Sequence, residues 1–150
     1  WMGEAAAQNR VSDFLFGNYG QYRETNRLSR EDAVAKYNYC PTGGCVLRLE
    51  DVEVMPDRAR AGETLTLSTS YTILTPERVG IPVTISREVF FEGKSLGKTK
   101  NMETSRLNGT WKNDIPFTLP PSAPRGNYTV VTKVITGFNQ EEKSARFSVF

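Results

Sequence analysis

Two cysteines lie close together in the chain and are the residues with the clearest potential for chemistry. Cys40 and Cys45 enclose the segment Pro-Thr-Gly-Gly, which bends easily because proline and glycine both favour turns. We expect a disulfide between them, which would contribute about 2 kcal/mol by restricting the unfolded chain. A redox centre normally has two residues between its cysteines, and a zinc site needs two further ligands. A pair of reduced thiols is the remaining alternative.

Histidine is absent from the 150 residues, and this absence removes much of the common catalytic chemistry. The chain cannot form a Ser-His-Asp or Cys-His site, and the absence of histidine also removes most zinc and haem chemistry. Acid–base catalysis or calcium binding would have to use scattered carboxylates such as Glu88, Glu92 and Glu103, whose spacing matches no EF-hand loop. We therefore expect no enzymatic activity, no metal and no cofactor.

The charge balance bears on the choice of partner. The chain has 19 Lys and Arg against 17 Asp and Glu, a net charge of +2. Basic residues in the middle of the chain, including Lys98 and Lys100, could meet an anionic polymer. Acidic residues are interleaved with them, and the excess charge is small beside that of domains that bind nucleic acid. We expect no nucleic-acid partner.

Residues 1–45 have a sequence pattern typical of helices. Apolar residues recur at three- and four-residue steps over residues 3–17 and predict a short amphipathic helix. A second helix is predicted after Ser29, which has Asp32 three residues later as in a capping box, and it should end before Cys40. We expect these residues to form a helical N-terminal arm that includes the loop from Cys40 to Cys45.

In residues 46–150, apolar and polar residues alternate with a period of two, which predicts β-strands. Leu65, Leu67, Thr69, Tyr71 and Ile73 alternate with small hydroxyl residues and form the clearest strand. Strands recur without helices between them, roughly seven in all, which favours an antiparallel sandwich. A change of parity at residues 50–51 predicts a bulge, and we expect Arg87, on the apolar parity, to turn outward or to extend along the sheet edge.

This second part resembles the immunoglobulin-like and fibronectin type III-like sandwiches found as modules of bacterial surface and periplasmic proteins. The resemblance rests on residues 54–56 with 61–67, on residues 117–120 with 124–130, and on the last strand, which ends at Phe150. It implies a mainly β fold, a seven-stranded antiparallel immunoglobulin-like sandwich preceded by the helical arm. Within it, Tyr128 is the candidate for a tyrosine corner, in which the hydroxyl bonds backbone upstream.

The arm contains more aromatic residues than a sandwich needs for its core, and monomers seldom leave such surface bare. We expect contact with a protein partner or with a second copy of the chain, through a set of six aromatic residues: Phe14, Phe16, Tyr19, Tyr22, Tyr37 and Tyr39. The alternative is that the arm folds back as a helical cap over the open end of the sandwich. The expected function is that of a non-enzymatic interaction or structural module, docked into a larger assembly or self-associating.

An alternative function is binding of carbohydrate or another surface polymer by an accessory domain. Its candidate residues are Trp111, Lys98 and Lys100, with the loops at Thr75-Pro76 and Asn139-Gln140. A tryptophan at this position of a sandwich also suits the core.

A disulfide would place the chain in the periplasm, at the cell surface or outside the cell. The apolar stretches are far shorter than the ~20 residues of a membrane-spanning helix. No leader is visible, and a signal peptide or a lipid anchor could precede Trp1.

Overall fold

The computed structural model describes residues 22–98 and 101–150, and these residues form mainly β structure. Their strands are β1 (Arg23–Leu28), β2 (Val46–Met55), β3 (Arg58–Ala59), β4 (Thr64–Leu74), β5 (Ile81–Phe91), β6 (Lys94–Lys98), β7 (Met102–Arg106), β8 (Gly109–Thr118), β9 (Gly126–Ile135) and β10 (Gln140–Val149). A helix, α1 (Arg30–Tyr37), and a short 3₁₀ turn (Pro41–Gly43) join β1 to β2. The described part of the chain thus has ten strands, not the seven expected.

The strands form two sheets, as the sequence predicted for a sandwich. Sheet A has the order β1-β8-β4-β2, and sheet B has the order β3-β10-β9-β5-β6, with β7 also paired to β5. All pairings are antiparallel except the short one between β3 and β10. Sheet B is curled like half of a barrel.

The apolar core lies between the two sheets. Alternating residues of β4 point into it, and the five predicted for that face are all buried. Two clusters of buried side chains fill the space, one around Phe117, Tyr128 and Phe147 and one around Tyr71 and Val134. Burial of this alternating apolar face is the main favourable contribution to folding.

Part of the predicted helical arm is a strand. Arg23–Leu28 forms β1, which pairs antiparallel with β8, Arg23 lying opposite Asp114. Its alternation is difficult to see in the sequence because the residue that points inward is the charged Glu24 and not an apolar one. The predicted helix at residues 3–17 lies outside the described residues.

The second predicted helix is confirmed as α1. Ser29 is its N-cap, and its side chain accepts a hydrogen bond of 3.2 Å from the Asp32 amide. The helix ends at Tyr37 because Asn38 adopts a left-handed conformation, with φ of 50°. Ala33 is buried where α1 packs against β1, β4 and β8.

The expected disulfide is not formed. Cys40 and Cys45 are free and exposed. Pro41–Gly43 forms the 3₁₀ turn between them, and the Cys40 sulfur lies 3.1 Å from the Thr42 hydroxyl instead of bonding to Cys45. Hydrogen bonds from the side chain and the backbone of Thr42 lower the pKa of Cys40. The prediction from spacing and flexibility was therefore wrong for this turn.

Two finer predictions are confirmed. The register of β2 against β4 shifts between Leu49 and Asp51, which is the predicted bulge. The Tyr128 hydroxyl donates a 2.7 Å hydrogen bond to the Pro124 carbonyl, as in a tyrosine corner. Burial raises the pKa of Tyr128 to about 12, with a smaller contribution from the charge of Glu92.

Across the described ranges, no helix has both the length and the apolar character needed to span a bilayer.

Candidate functional site

A charged residue from β1 lies inside the sandwich. The side chain of Glu24 is only 3% exposed, and its carboxylate accepts hydrogen bonds from Arg106 Nε at 2.8 Å and Asn113 Nδ2 at 3.0 Å. The Tyr71 hydroxyl is a third donor to it. We call Glu24, Tyr71, Arg106 and Asn113 the Glu24 cluster. It joins an edge strand of sheet A to β7, an edge strand of sheet B.

The charge states of the cluster follow from these contacts. Burial and the hydrogen bond to Glu24 raise the pKa of Tyr71 far above its ordinary value, so the phenol stays neutral. The hydrogen bond to Glu24 also raises the pKa of Arg106. The cluster therefore holds an ion pair and two neutral donors, an arrangement that fixes β1.

Arg87 extends the polar interior further. It is 1% exposed, and its Nη2 atom lies 3.1 Å from Thr69 Oγ1 and 3.3 Å from Asn113 Oδ1. The prediction that this side chain would turn outward or run along the sheet edge was wrong. The hydrogen bonds to Thr69 and Asn113 replace those that the guanidinium would make to water. These partners lie on other strands, so the sequence around Arg87 does not show them.

The opposite side of the sandwich has a matching contact. Glu141 of β10 accepts a 2.6 Å hydrogen bond from the Leu49 amide of β2 and forms an ion pair with Arg48. Lys143 donates to the Glu50 carbonyl at 3.1 Å. Charged side chains thus connect the two sheets along both open sides.

The six predicted interaction aromatics are not brought together in the part of the chain that the structure describes. Phe14, Phe16 and Tyr19 lie outside it. Tyr22 is exposed just before β1, whereas Tyr37 and Tyr39 are half-buried.

The two half-buried tyrosines hold local structure. Tyr39 donates to the Gly44 carbonyl and closes the turn between the cysteines, while Tyr37 donates to Glu50. Burial alone raises the pKa of Glu50, but hydrogen bonds from Tyr37, Lys36 and Thr72 outweigh it and lower that pKa overall. These contacts attach α1 to the bulge of β2.

The residues of the predicted carbohydrate site do not form an open platform. Trp111 packs against the second core cluster, and its indole nitrogen donates to the Leu107 carbonyl at 2.9 Å. The Arg106 guanidinium lies 5.3 Å from the ring centroid and covers that ring in a cation–π contact. Lys98 is exposed at the end of β6, and Lys100 lies outside the described residues.

Three loops at one end of the sandwich expose apolar side chains that no sequence pattern marks. The register pairs Ile73 with Gly109, Ile81 with Arg106, and Ile135 with Gln140, so the loops that follow β4, β7 and β9 lie at the same end. Their exposed apolar residues are Val79, Leu107 and Phe138.

A cavity of about 380 Å³ opens on the outer face of sheet A, away from the core. Its described lining has two basic residues and one acidic residue and consists of Arg23, Met55, Thr66, Ser68, Lys112, Asp114 and Pro116. The two cysteines are remote from it in the fold, and among the described residues no group of three or more Cys, Asp or Glu is placed to hold a metal ion.

No protein-family model matches the sequence, and the curated proteins include no significant match. Among solved structures, the chain is similar to part of a family 123 glycoside hydrolase from Clostridium perfringens, with a TM-score of 0.52 and 10% identity, over 88% of this chain and 27% of that one. It is also similar to part of a β-glucosidase from Erythrobacter marinus, with a TM-score of 0.51 and 10% identity, over 71% of this chain and 16% of that one.

A CARDB domain from Pyrococcus furiosus is 21% identical over 71% of this chain and 94% of that domain, with a TM-score of 0.43. The chain spans a minor part of the two hydrolases. At 10% identity the similarity to the two hydrolases concerns the fold alone, because one sandwich architecture hosts many functions.

Proposed function

We propose that this chain is a non-enzymatic, immunoglobulin-like module that serves as an interaction or structural part of a larger assembly. Its topology supports this class: β2, β4 and β8 share one sheet, as strands A, B and E do in immunoglobulin domains, and β5, β9 and β10 share the other, as C, F and G do. The hydrogen bond from Tyr128 to Pro124 fits the same class. We place the module outside the cytoplasm on this class alone, because the two free thiols do not support that location.

One observation carries the proposal: the segment before the sandwich is built into it as a strand. β1 lies beside β8, in the position that strand D occupies next to strand E in constant-type immunoglobulin domains. Glu24 fixes it from within through three donors. A partner that holds the chain ahead of β1 is therefore coupled directly to the core.

In this proposal the partner contacts Phe14, Phe16 and Tyr19, because aromatic residues are the favoured anchors of protein interfaces. The partner is a second copy of the chain or another protein of the assembly. The alternative of carbohydrate binding through Trp111 is weakened by the Arg106 side chain that covers its ring.

The test compares the intact chain with a variant that begins at Tyr22, which keeps β1 and the Glu24 cluster. Light scattering should show association of the intact chain and a monomer for the shortened one, with equal melting temperatures. A photo-crosslinker placed at Phe16 in the native cell envelope then identifies the partner, and one at the exposed Glu142 of β10 is the control. Two results together would refute the proposal. The intact chain stays monomeric, and the crosslinks from Phe16 either match those from Glu142 or are absent from both positions.

A further inference from the structure

The short loop between β7 and β8 contains the one Asn-Gly pair of the sequence, Asn108-Gly109. The two residues of such a pair can react with each other. Glycine has no side chain to keep its backbone nitrogen away from the carboxamide of the residue before it. The sequence therefore marks Asn108 as the asparagine at which deamidation is chemically most favoured, and the fold determines whether the two groups can meet.

Deamidation at this pair needs no enzyme and no cofactor. The Gly109 nitrogen forms a bond to Cγ of Asn108 and loses its proton, and the carboxamide nitrogen leaves with a proton as ammonia. The product is a five-membered succinimide ring. One water molecule then opens the ring at either of its two carbonyl groups, which gives aspartate or isoaspartate at position 108.

Two hydrogen bonds to one residue hold the Asn108 carboxamide in the folded chain. Its Oδ1 atom accepts from the Thr75 amide at 2.7 Å, and its Nδ2 atom donates to the Thr75 hydroxyl at 3.0 Å. That hydroxyl in turn donates to the Glu77 carbonyl at 2.6 Å. The carboxamide is therefore fixed to the loop between β4 and β5, and it can rotate only after both of its bonds break.

Burial adds a second barrier to the reaction. Asn108 is 6% exposed and Thr75 is 3% exposed, and both Gly109 and Thr110 are buried. Removal of the proton from the Gly109 nitrogen needs a base from solvent, and opening of the ring needs water. Leu107, directly before the pair, is 60% exposed. A local opening of the loop therefore admits water while the core strands stay folded, since loops open at a lower free energy than the core.

The pair lies where β8 meets the end of β1. Gly109 has a φ of 143°, and a Cβ atom on it would lie 2.6 Å from the Leu28 carbonyl oxygen, while Thr110 lies opposite Leu28 in the sheet. Isoaspartate adds one carbon to the backbone between residues 108 and 109, and packing this close cannot accommodate it without a shift. Aspartate places a negative charge in a buried site, which is also unfavourable.

We infer that Asn108-Gly109 is a latent deamidation site, which the hydrogen bonds to Thr75 keep closed and which, once modified, weakens the packing of β8 against β1. A chain that opens at this end of the sandwich is thereby marked by a covalent change. The inference does not depend on the proposed association, because the reaction lies within one chain and a variant that begins at Tyr22 contains every residue of the site.

Peptide mapping by mass spectrometry measures deamidation of Asn108 during incubation at mildly alkaline pH. The folded chain should react at least roughly tenfold more slowly than the same chain unfolded in guanidinium chloride, because both hydrogen bonds must first break. Thr75→Val keeps the shape and removes the hydroxyl, and it should accelerate the reaction of the folded chain at least roughly fivefold. Thr136→Val is the matched control. It removes a buried loop hydroxyl that bonds to Asn139 and not to Asn108, and it should change the rate less than about twofold.

Each contrary result overturns the inference. Equal rates for the folded and the unfolded wild-type chain would show that the fold does not protect Asn108, whether or not the Thr75→Val variant folds. No acceleration by Thr75→Val, or equal acceleration by Thr136→Val, would show that Thr75 does not control the site.

The effect on packing has its own measurement. The deamidated chain, separated by ion exchange and refolded, should melt at a lower temperature than unmodified chain taken through the same steps. Equal melting temperatures would refute the weakened packing of β8 against β1.

Discussion

Replacing Glu24 by alanine should destabilise the sandwich by about 3–5 kcal/mol, which is the usual cost of breaking a buried ion pair by removal of one partner. The side chain is 3% exposed and accepts three hydrogen bonds. Its loss leaves the hydroxyl of Tyr71 and the amide of Asn113 without this acceptor, and both residues are fully buried. Each orphaned buried group costs about 1–3 kcal/mol.

Solvent access limits the upper end of this range. The side chain of Arg106 is 22% exposed, so it regains some hydration when its partner is removed. Glu24→Gln keeps the shape and one acceptor oxygen, and it should cost about 1–3 kcal/mol because the charge and the second acceptor oxygen are lost. Because the free energy of unfolding of a domain of this size is roughly 5–15 kcal/mol, the alanine variant should still fold at low temperature.

Urea unfolding followed by far-ultraviolet circular dichroism measures these differences. Glu142→Ala is the matched control, since that carboxylate lies exposed on β10, and it should change stability by less than about 0.5 kcal/mol. The double variant of Glu24 and Arg106 should cost less than the two single variants combined, because the partners act as one unit. A Glu24→Ala protein as stable as the control would refute the structural role given to β1.

Three further predictions concern stability and reactivity. Tyr128→Phe should lose about 1 kcal/mol at neutral pH. Because the folded pKa of about 12 exceeds the unfolded value of about 10, wild-type stability should fall between these pH values more steeply than that of the variant, in which Tyr71, whose pKa is also raised, still contributes. Urea unfolding at several pH values measures this difference. Without prior reduction, both thiols should react with iodoacetamide in intact-mass measurements, and Thr42→Val should move the reaction of Cys40 to higher pH; a missing pair of adducts would reinstate the disulfide. Gly109→Ala should destabilise the protein by about 2–4 kcal/mol, because φ is 143° and the added Cβ atom would lie 2.6 Å from a backbone oxygen. Gly137→Ala is the control: its Cβ atom meets nothing within 4 Å, and thermal unfolding should show a change within about 1 kcal/mol.

The sequence predicted those features that depend on local pattern. The alternation in β4, the bulge near Asp51, the N-cap at Ser29 and the corner at Tyr128 are each encoded within a few residues. Apolar periodicity and cap chemistry act locally, and therefore a single strand or helix reveals them.

The features that the sequence did not predict depend on contacts between distant segments. β1 was missed because its inward residue, Glu24, finds its donors 47 to 89 positions away. Arg87 was placed at the surface because its partners lie on other strands. A buried charge resembles an exposed one in the sequence, since only the fold shows whether it is paired.

The candidate site was equally hidden. The outer cavity combines one or more residues from each of four strands, so its composition depends on three registers at once. The turn between the cysteines was mispredicted for a different reason, because a flexible sequence permits a disulfide without requiring one.

The side-chain contacts along β2 have a consequence for the protein at high concentration. An open strand edge is a template on which another chain can add its own strand and start a fibril. Here Glu141 already occupies the Leu49 amide and Lys143 occupies the Glu50 carbonyl, so an incoming strand must first displace two charged groups. Growth of a fibril from this part of the β2 edge is therefore disfavoured.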